Sequence, residues 1–354
     1  MKRRLSIALG VVLLVAVIGV IVFDRDDETP TRDVVVRGVI GSEKLAFFRD
    51  ERVREAFAAH GVTVEVDTAG SRQIATTVDL AGYDFVFPSS QPAAQRIQRD
   101  RNVTTAYTPF QSPMAVATFA PVVEVLERAG VIRDGLLDVG RYLELARAGT
   151  RWDELPGNTE FRARKSVLIT TTDPRDSNSA AMYVAIASYV ANGNAVVASQ
   201  DAEARLLPEL TGLFLRQGYA QSSSAGPFED YLVAGMGRVP MALVYESQFL
   251  GRQVRGDGTI QPDMRLVYLA PTVYSEHTLV PLTDPGDEVG RLLTTDDRLG
   301  RLAAEFGFRT SDPGVFADVM AEHDLTAPDL VDVVEPPSFE TLERLLDGIE
   351  ARYS

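Results

Sequence analysis

Val167-Leu168-Ile169-Thr170-Thr171-Thr172-Asp173-Pro174-Arg175-Asp176-Ser177-Asn178-Ser179-Ala180-Ala181-Met182-Tyr183-Val184 is the stretch on which the fold turns. Residues 167–169 read as the end of a buried strand. Residues 170–176 supply turn chemistry, and Pro174 bars a continued ladder. Ser177, Asn178 and Ser179 then stand at the start of a helix predicted over 180–190. The first turn of a helix has N–H donors without intrahelical partners, and its dipole favours negative charge. A strand, a polar loop and a helix start in that order are therefore a place for an anion or a strongly polar group. The same serines also serve as plain N-caps, so the reading depends on whether the arrangement recurs.

It recurs upstream. Residues 33–40 read as a strand, followed by the loop Gly41-Ser42-Glu43-Lys44 and a helix over 45–60 that Gly61 ends. Residues 62–67 alternate as a strand does; Ala69-Gly70-Ser71-Arg72 and a helix over 73–80 follow. Residues 83–87 form a short buried strand, then Pro88-Ser89-Ser90-Gln91-Pro92 leads into a helix over 93–99. Such alternation implies an α/β chain with a parallel sheet covered on both faces. Ligands of these sheets sit beyond the carboxyl ends of the strands. Ser42, Ser71, Ser89 and Ser90 are thus expected to gather on one rim.

The chain has 354 residues, 45% hydrophobic and 24% charged, enough for two domains or two lobes. It has no cysteine, which excludes disulfides, thiolate metal sites, a cysteine nucleophile and a lipid-modified cysteine. A net charge of −15 argues against nucleic acid as a partner. It leaves room for a local nest of N–H groups that binds an anion against the global field. Residues 5–23 are an uncharged apolar run, preceded by Lys2, Arg3 and Arg4 and followed by Asp24, Arg25, Asp26, Asp27 and Glu28. A run of this length can just span a bilayer, with the basic flank inside. No small-residue cleavage site follows Val20-Ile21-Val22-Phe23. The expectation is a cytoplasmic tail at 1–4, an uncleaved anchor at 5–23, a linker at 24–32 and an extracytoplasmic remainder.

Downstream, Met114 to Phe119 read as an apolar strand crossing into a second lobe, and strands over 265–270 and 278–282 as the return crossing. A helical stretch over 285–306 breaks near Thr294-Thr295-Asp296, and a last helix covers 338–353. This order resembles the type 2 periplasmic solute-binding proteins, nearest to their molybdate/sulfate-type oxyanion-binding branch. The resemblance rests on Gly41-Ser42, Ala69-Gly70-Ser71, the segment Gly82-Tyr83-Asp84-Phe85-Val86-Phe87-Pro88-Ser89-Ser90, the loop from Asp173-Pro174 to Met182-Tyr183, Val239 to Ser247, and Arg301 to Phe308. It implies a two-lobed fold with mixed, mainly parallel sheets: 33–113 as the first part of lobe 1, 114–270 as lobe 2 with the crossing strand, and 271–354 as the return to lobe 1 and the C-terminal helices. It implies that Ser42, Ser71, Ser177, Asn178, Ser179 and Tyr245 face the cleft; Arg72, Ser89 and Ser90 complete the candidate set. The function it implies is capture of a small polar solute or oxyanion for an ABC-type permease, with no cofactor, metal or catalytic residue. An anchored sensor or scaffold without a transport role is the alternative. The chain departs from the family in lacking a lipidated cysteine, and Ser177-Asn178-Ser179 does not follow the molybdate loop closely. Glu43 and Glu246, if they lined the site, would suit a solute carrying donors of its own rather than a bare oxyanion.

An enzyme is the rival from another class. The only histidines are His60, His277 and His323, and His277 alone stands near the expected cleft. No GxSxG, HExxH, Walker or GxGxxG motif is present.

Overall fold

The computed structural model describes residues 34–218, 222–223, 225–330 and 332–352. The expected anchor at 5–23 and its flanks lie outside the described residues. Among those that are described, no helix is long and apolar enough to cross a membrane. The chain divides into Met1–Val34 and a second unit, Val35–Ser354, whose architecture follows.

The strands are β1 (Val34–Ile40), β2 (Val62–Thr68), β3 (Phe85–Phe87), β4 (Tyr107–Phe119), β5 (Ile132–Arg133), β6 (Leu136–Asp138), β7 (Ala242–Tyr245), β8 (Met264–Ala270), β9 (Tyr274–Pro281) and β10 (Arg309–Thr310). The helices of the first half are α1 (Leu45–Arg49), α2 (Glu51–Ala58), α3 (Ser71–Thr76), α4 (Gln91–Arg101), α5 (Ala120–Arg128), α6 (Val139–Ala148) and α7 (Asn178–Ala191). Those of the second half are α8 (Gln200–Leu215), α9 (Ala225–Ala234), α10 (Glu246–Arg255), α11 (Asp284–Thr295), α12 (Asp297–Glu305), α13 (Pro313–Glu322) and α14 (Phe339–Glu350).

The sheet runs β2-β1-β3-β9-β4-β8-β6-β5, with β7 and β10 also paired to β4. Strand β4 is its axis. Its first half, Tyr107 to Pro113, pairs with β9, and Phe110 and Gln111 with β10; from Met114 onward it pairs with β7 and β8. One strand thus passes from the first lobe into the second. The sequence reading placed only Met114 to Phe119 in this strand, because Pro109 and Pro113 read as loop. Pro109 falls at the register shift between Tyr107 and Phe110, and Pro113 stands opposite Tyr274. The expectation of mainly parallel sheets also needs correcting. Among the pairings whose direction is described, β1–β3 and β6–β8 are parallel, while β4 meets β7, β8, β9 and β10 antiparallel and β9 meets β3 antiparallel.

Each lobe has its own core. In the first, Phe47, Phe57, Phe85, Phe87, Phe110 and Phe308 pack together. In the second, Val116, Tyr142, Trp152, Met182, Phe214 and Tyr245 do so. Helix α14 carries Leu342, Leu345, Leu346 and Ile349 at helical spacing, and all four lie in the second core. On its flank Arg344 grips Glu203 of α8 with two hydrogen bonds of 2.6 and 2.9 Å. Helix α14 therefore packs with the second lobe. Residues 167–169 are not a strand; the ladder shrinks to isolated bridges at Ser166 and Thr170. Ile169 N–H donates to the Tyr142 hydroxyl at 3.1 Å, a side-chain acceptor where a ladder needs a carbonyl. Helix α7 does begin at Asn178, with the Ser177 side chain accepting from Ser179 N–H.

Candidate functional site

Beyond the carboxyl ends of β1 and β2 lies a cavity of about 200 Å³. Ser42, Ser71 and Gln73 line it from the first lobe, and Asn178, Ser222 and Ser223 from the second. Local sequence explains the first-lobe half. Strand β1 ends at Ile40, and Gly41 opens a tight turn over Ser42–Lys44. A Cβ at Gly41 would come within 2.6 Å of Ser89 Oγ, so the close approach needs glycine. Strand β2 ends at Thr68, and Gly70 caps α3; its N–H donates to Gln73 Oε1 at 3.1 Å.

The hydroxyls are oriented. Ser71 Oγ accepts from Ser89 N–H at 2.8 Å, and Ser42 Oγ accepts from Ser223 Oγ at 2.9 Å. With those acceptor roles filled, each serine keeps a proton to donate, and among the described residues neither donates it. The Asn178 amide is spent on the floor: it donates to Ser89 O at 2.7 Å and lies 3.0 Å from Tyr245 OH and from Ser275 Oγ. Gln73 Nε2 donates across the cleft to Asp176 at 2.9 Å. Among the described residues, no cationic side chain lines the cavity.

Of the nine expected site residues, the structure brings Ser42, Ser71 and Asn178 to this cavity. Ser89 is beneath its floor, fully buried. Ser90 caps α4, Ser177 caps α7, and Tyr245 is buried under Asn178 with its ring 5.6 Å from that of His277. Ser179 Oγ is buried and has no partner among the described residues. Arg72 turns away and is held by Glu343, Asp347 and Glu350 of α14. Arg175 pairs with Asp173.

The residues that the sequence reading missed are under the floor. Lys44 is fully buried, and its ammonium touches Glu43 at 2.5 Å, Ser89 Oγ at 2.7 Å and His277 Nδ1 at 3.1 Å, with the Phe87 ring 4.8 Å away. Ser89 Oγ also donates to Glu43. The Glu43 side chain is 1% exposed, so what it presents to the cavity is backbone. Burial pushes the Glu43 carboxyl up, but the charge of Lys44 and the hydrogen bonds of His277 and Lys44 outweigh it and hold it well below the usual range. Burial lowers Lys44 against the opposing pull of Glu43. Glu246 is internal too, taking Arg309 at 2.7 and 2.8 Å and the Tyr268 hydroxyl at 2.5 Å. Neither glutamate offers a free carboxylate to a solute. One signal for the cluster was present: Lys44 is one of only three lysines in an arginine-rich chain.

His277 gives the cluster a pH signature. Burial and the neighbouring Lys44 charge lower its pKa to about 4, against the pull of Glu43, and its Nε2 has no partner among the described residues. A folded-state value below the ordinary 6.5 means that the stabilisation is whole above that pH and is lost as pH falls toward 4. Urea unfolding is expected to show a loss of up to about 1.4 kcal/mol per pH unit across this window. His277→Gln should flatten that slope; an unaltered slope in the variant would assign the titration elsewhere.

The sequence matches no protein-family model and no curated protein. Solved structures do match over almost the whole chain. The sulfate-binding protein SubI from Mycobacterium tuberculosis H37Rv is 17% identical, with a TM-score of 0.52 over 88% of this chain and 96% of that one. The fold is that of the type 2 periplasmic solute-binding proteins. Iron-bound HitA from Pseudomonas aeruginosa, at 11% identity, gives 0.55 over 90% and 99% of the two chains. The Atu4243-GABA receptor, at 12%, gives 0.51 over 90% and 97%. Proteins of this periplasmic-binding fold thus carry names with a sulfate, an iron and an amino acid, so the fold alone does not choose the solute.

Proposed function

We propose that this chain is an extracytoplasmic solute-binding protein, anchored through residues 5–23, that captures a small oxyanion between its lobes for an ABC-type importer. The observation that supports this best is the polarity of the cavity. Ser42 and Ser71 have their acceptor roles filled and protons left to donate, and the glutamates that would argue for a solute with donors of its own are paired with Lys44 and Arg309 inside the protein. Donors without a full cation suit an anion enclosed by lobe closure about β4 and β9. Thermal unfolding against sulfate, molybdate, phosphate, amino acids and small sugars tests it. A solute at about 100 times its dissociation constant stabilises the folded state by about 2.7 kcal/mol. One oxyanion is expected to raise the midpoint, and Ser71→Ala or Ser42→Ala to abolish most of the rise. A shift with amino acids or sugars alone would sink the oxyanion assignment.

The apolar run at 5–23 without a cleavage site favours a second reading, an anchored ectodomain that reports solute to a membrane partner. Copurification of a permease and an ATPase subunit with the full chain would decide for transport; their absence, with another membrane protein in their place, would decide for the sensor.

A further inference from the structure

We propose that α14 is an ionic latch that holds the two lobes together across the cavity. This rests on reading that cavity as the solute site. The helix is rooted in the second lobe by Leu342, Leu345, Leu346 and Ile349 and by the Arg344–Glu203 pair. Its other edge reaches the first lobe. Arg72 of α3 meets Glu343 through Nε at 2.9 and 3.0 Å, Glu350 through Nη1 at 3.4 Å, and Asp347 through Nη2. The same Nη1 donates to the Arg175 carbonyl of the second lobe at 3.0 Å. Further along, Glu340 takes Arg99 of α4 at 2.6 Å, and Arg96 lies 5.9 Å from the Phe339 ring. Arg72 follows Ser71 directly, so the latch grips the rim of the cavity itself.

The geometry constrains opening. Rotation about β4 and β9 must either break these pairs or pull α14 out of the second core. Exposed single pairs contribute little. The Arg72 side chain is only 12% exposed, and each of its three guanidinium nitrogens has a partner, so the pairing is screened less than an exposed one. Three carboxylates around one guanidinium also mean that losing the cation does more than remove an attraction: it leaves like charges facing the first lobe. None of these pairs involves a solute, so the latch acts with or without one, and solute exchange waits on release of α14.

The chain has no cysteine, so Ala58→Cys in α2 and Ala148→Cys in α6, both exposed, can carry spin labels on the two lobes of the full chain. Pulsed electron paramagnetic resonance without solute is expected to give one narrow distance distribution. Arg72→Glu should add a longer population, raising the open fraction at least about tenfold. Glu343→Arg with Asp347→Arg, added to Arg72→Glu, should restore the short distance by swapping the charges. Salt at about 1 M, where the screening length is about 3 Å, should open the unaltered protein in part. Arg99→Glu is the parallel variant if Arg72→Glu fails to give the folded circular dichroism spectrum. Distributions that coincide for the unaltered protein, the variant and high salt would overturn the latch. The readout needs no solute, so a failed solute panel would leave it standing, and a solute-induced thermal shift with unaltered distances would sink the latch alone.

Discussion

Lys44→Met is expected to destabilise the protein by roughly 3–5 kcal/mol, the usual cost of leaving one member of a buried ion pair alone. Lys44 and Glu43 have side chains 0% and 1% exposed and meet at 2.5 Å. Without the ammonium, Glu43 keeps only Ser89 and a largely neutral His277, and burial then pushes its carboxyl upward unopposed by a full cation. The damage should reach the rim, because Ser89, which Lys44 and Glu43 hold, orients Ser71 through its N–H. Removing both charges together, as Glu43→Gln with Lys44→Met, should recover much of the loss, since a neutral pair has no unpaired charge to bury. Urea unfolding of the single and double variants measures this as a coupling energy. A single variant within about 1 kcal/mol of the unaltered protein would mean that the pair is not buried as described.

Gly70→Ala should weaken solute binding roughly 100-fold, equivalent to about 2.7 kcal/mol, while leaving the unfolding midpoint of the solute-free protein within a few degrees. A Cβ at this position would lie well inside van der Waals contact with the Asp176 carbonyl. That carbonyl belongs to the loop before α7, on the opposite lobe, and the neighbouring Gln73–Asp176 hydrogen bond crosses the same gap. The added methyl meets backbone, which cannot swing aside as a side-chain end can. Closure must then stop short, and a solute that needs both lobes loses one of them. Calorimetric titration with the oxyanion found by thermal screening reads the loss. Undiminished affinity would show that the solute does not require the lobes to meet at Gly70.

What the sequence disclosed about the site follows from how local the signals are. Ser42, Ser71 and Asn178 stand at strand-to-helix turns, and the alternation of strand and helix places such turns at one edge of a sheet. Whether a hydroxyl at a turn faces cavity or floor depends on a fraction of a helical turn. Hence Ser89, Ser90, Ser177 and Ser179 have the same local pattern as Ser71 but sit in caps or beneath the floor. Arg72 could not be placed at all from its neighbours, since Glu343 is 271 residues away. The Lys44–His277 contact spans 233 residues and was equally silent. For the fold, the order of lobes was legible because helices and strands differ in hydrophobic period. The long crossing strand was not, because Pro109 and Pro113 mimic a loop where β4 only shifts its register.

Helix α14 has a consequence for how the protein is made. Most of the second core precedes β9 in the chain, yet its slot against α7 and α8 is filled only when α14 emerges. Until then Leu207 of α8, whose side chain lies against Gly348 of α14, lacks the face that helps cover it. The second lobe can therefore finish folding only after residues 339–350 have emerged, and every step before that leaves an apolar groove open to aggregation or to a chaperone. Synthesis arrested shortly before Phe339 would leave the second lobe unfinished.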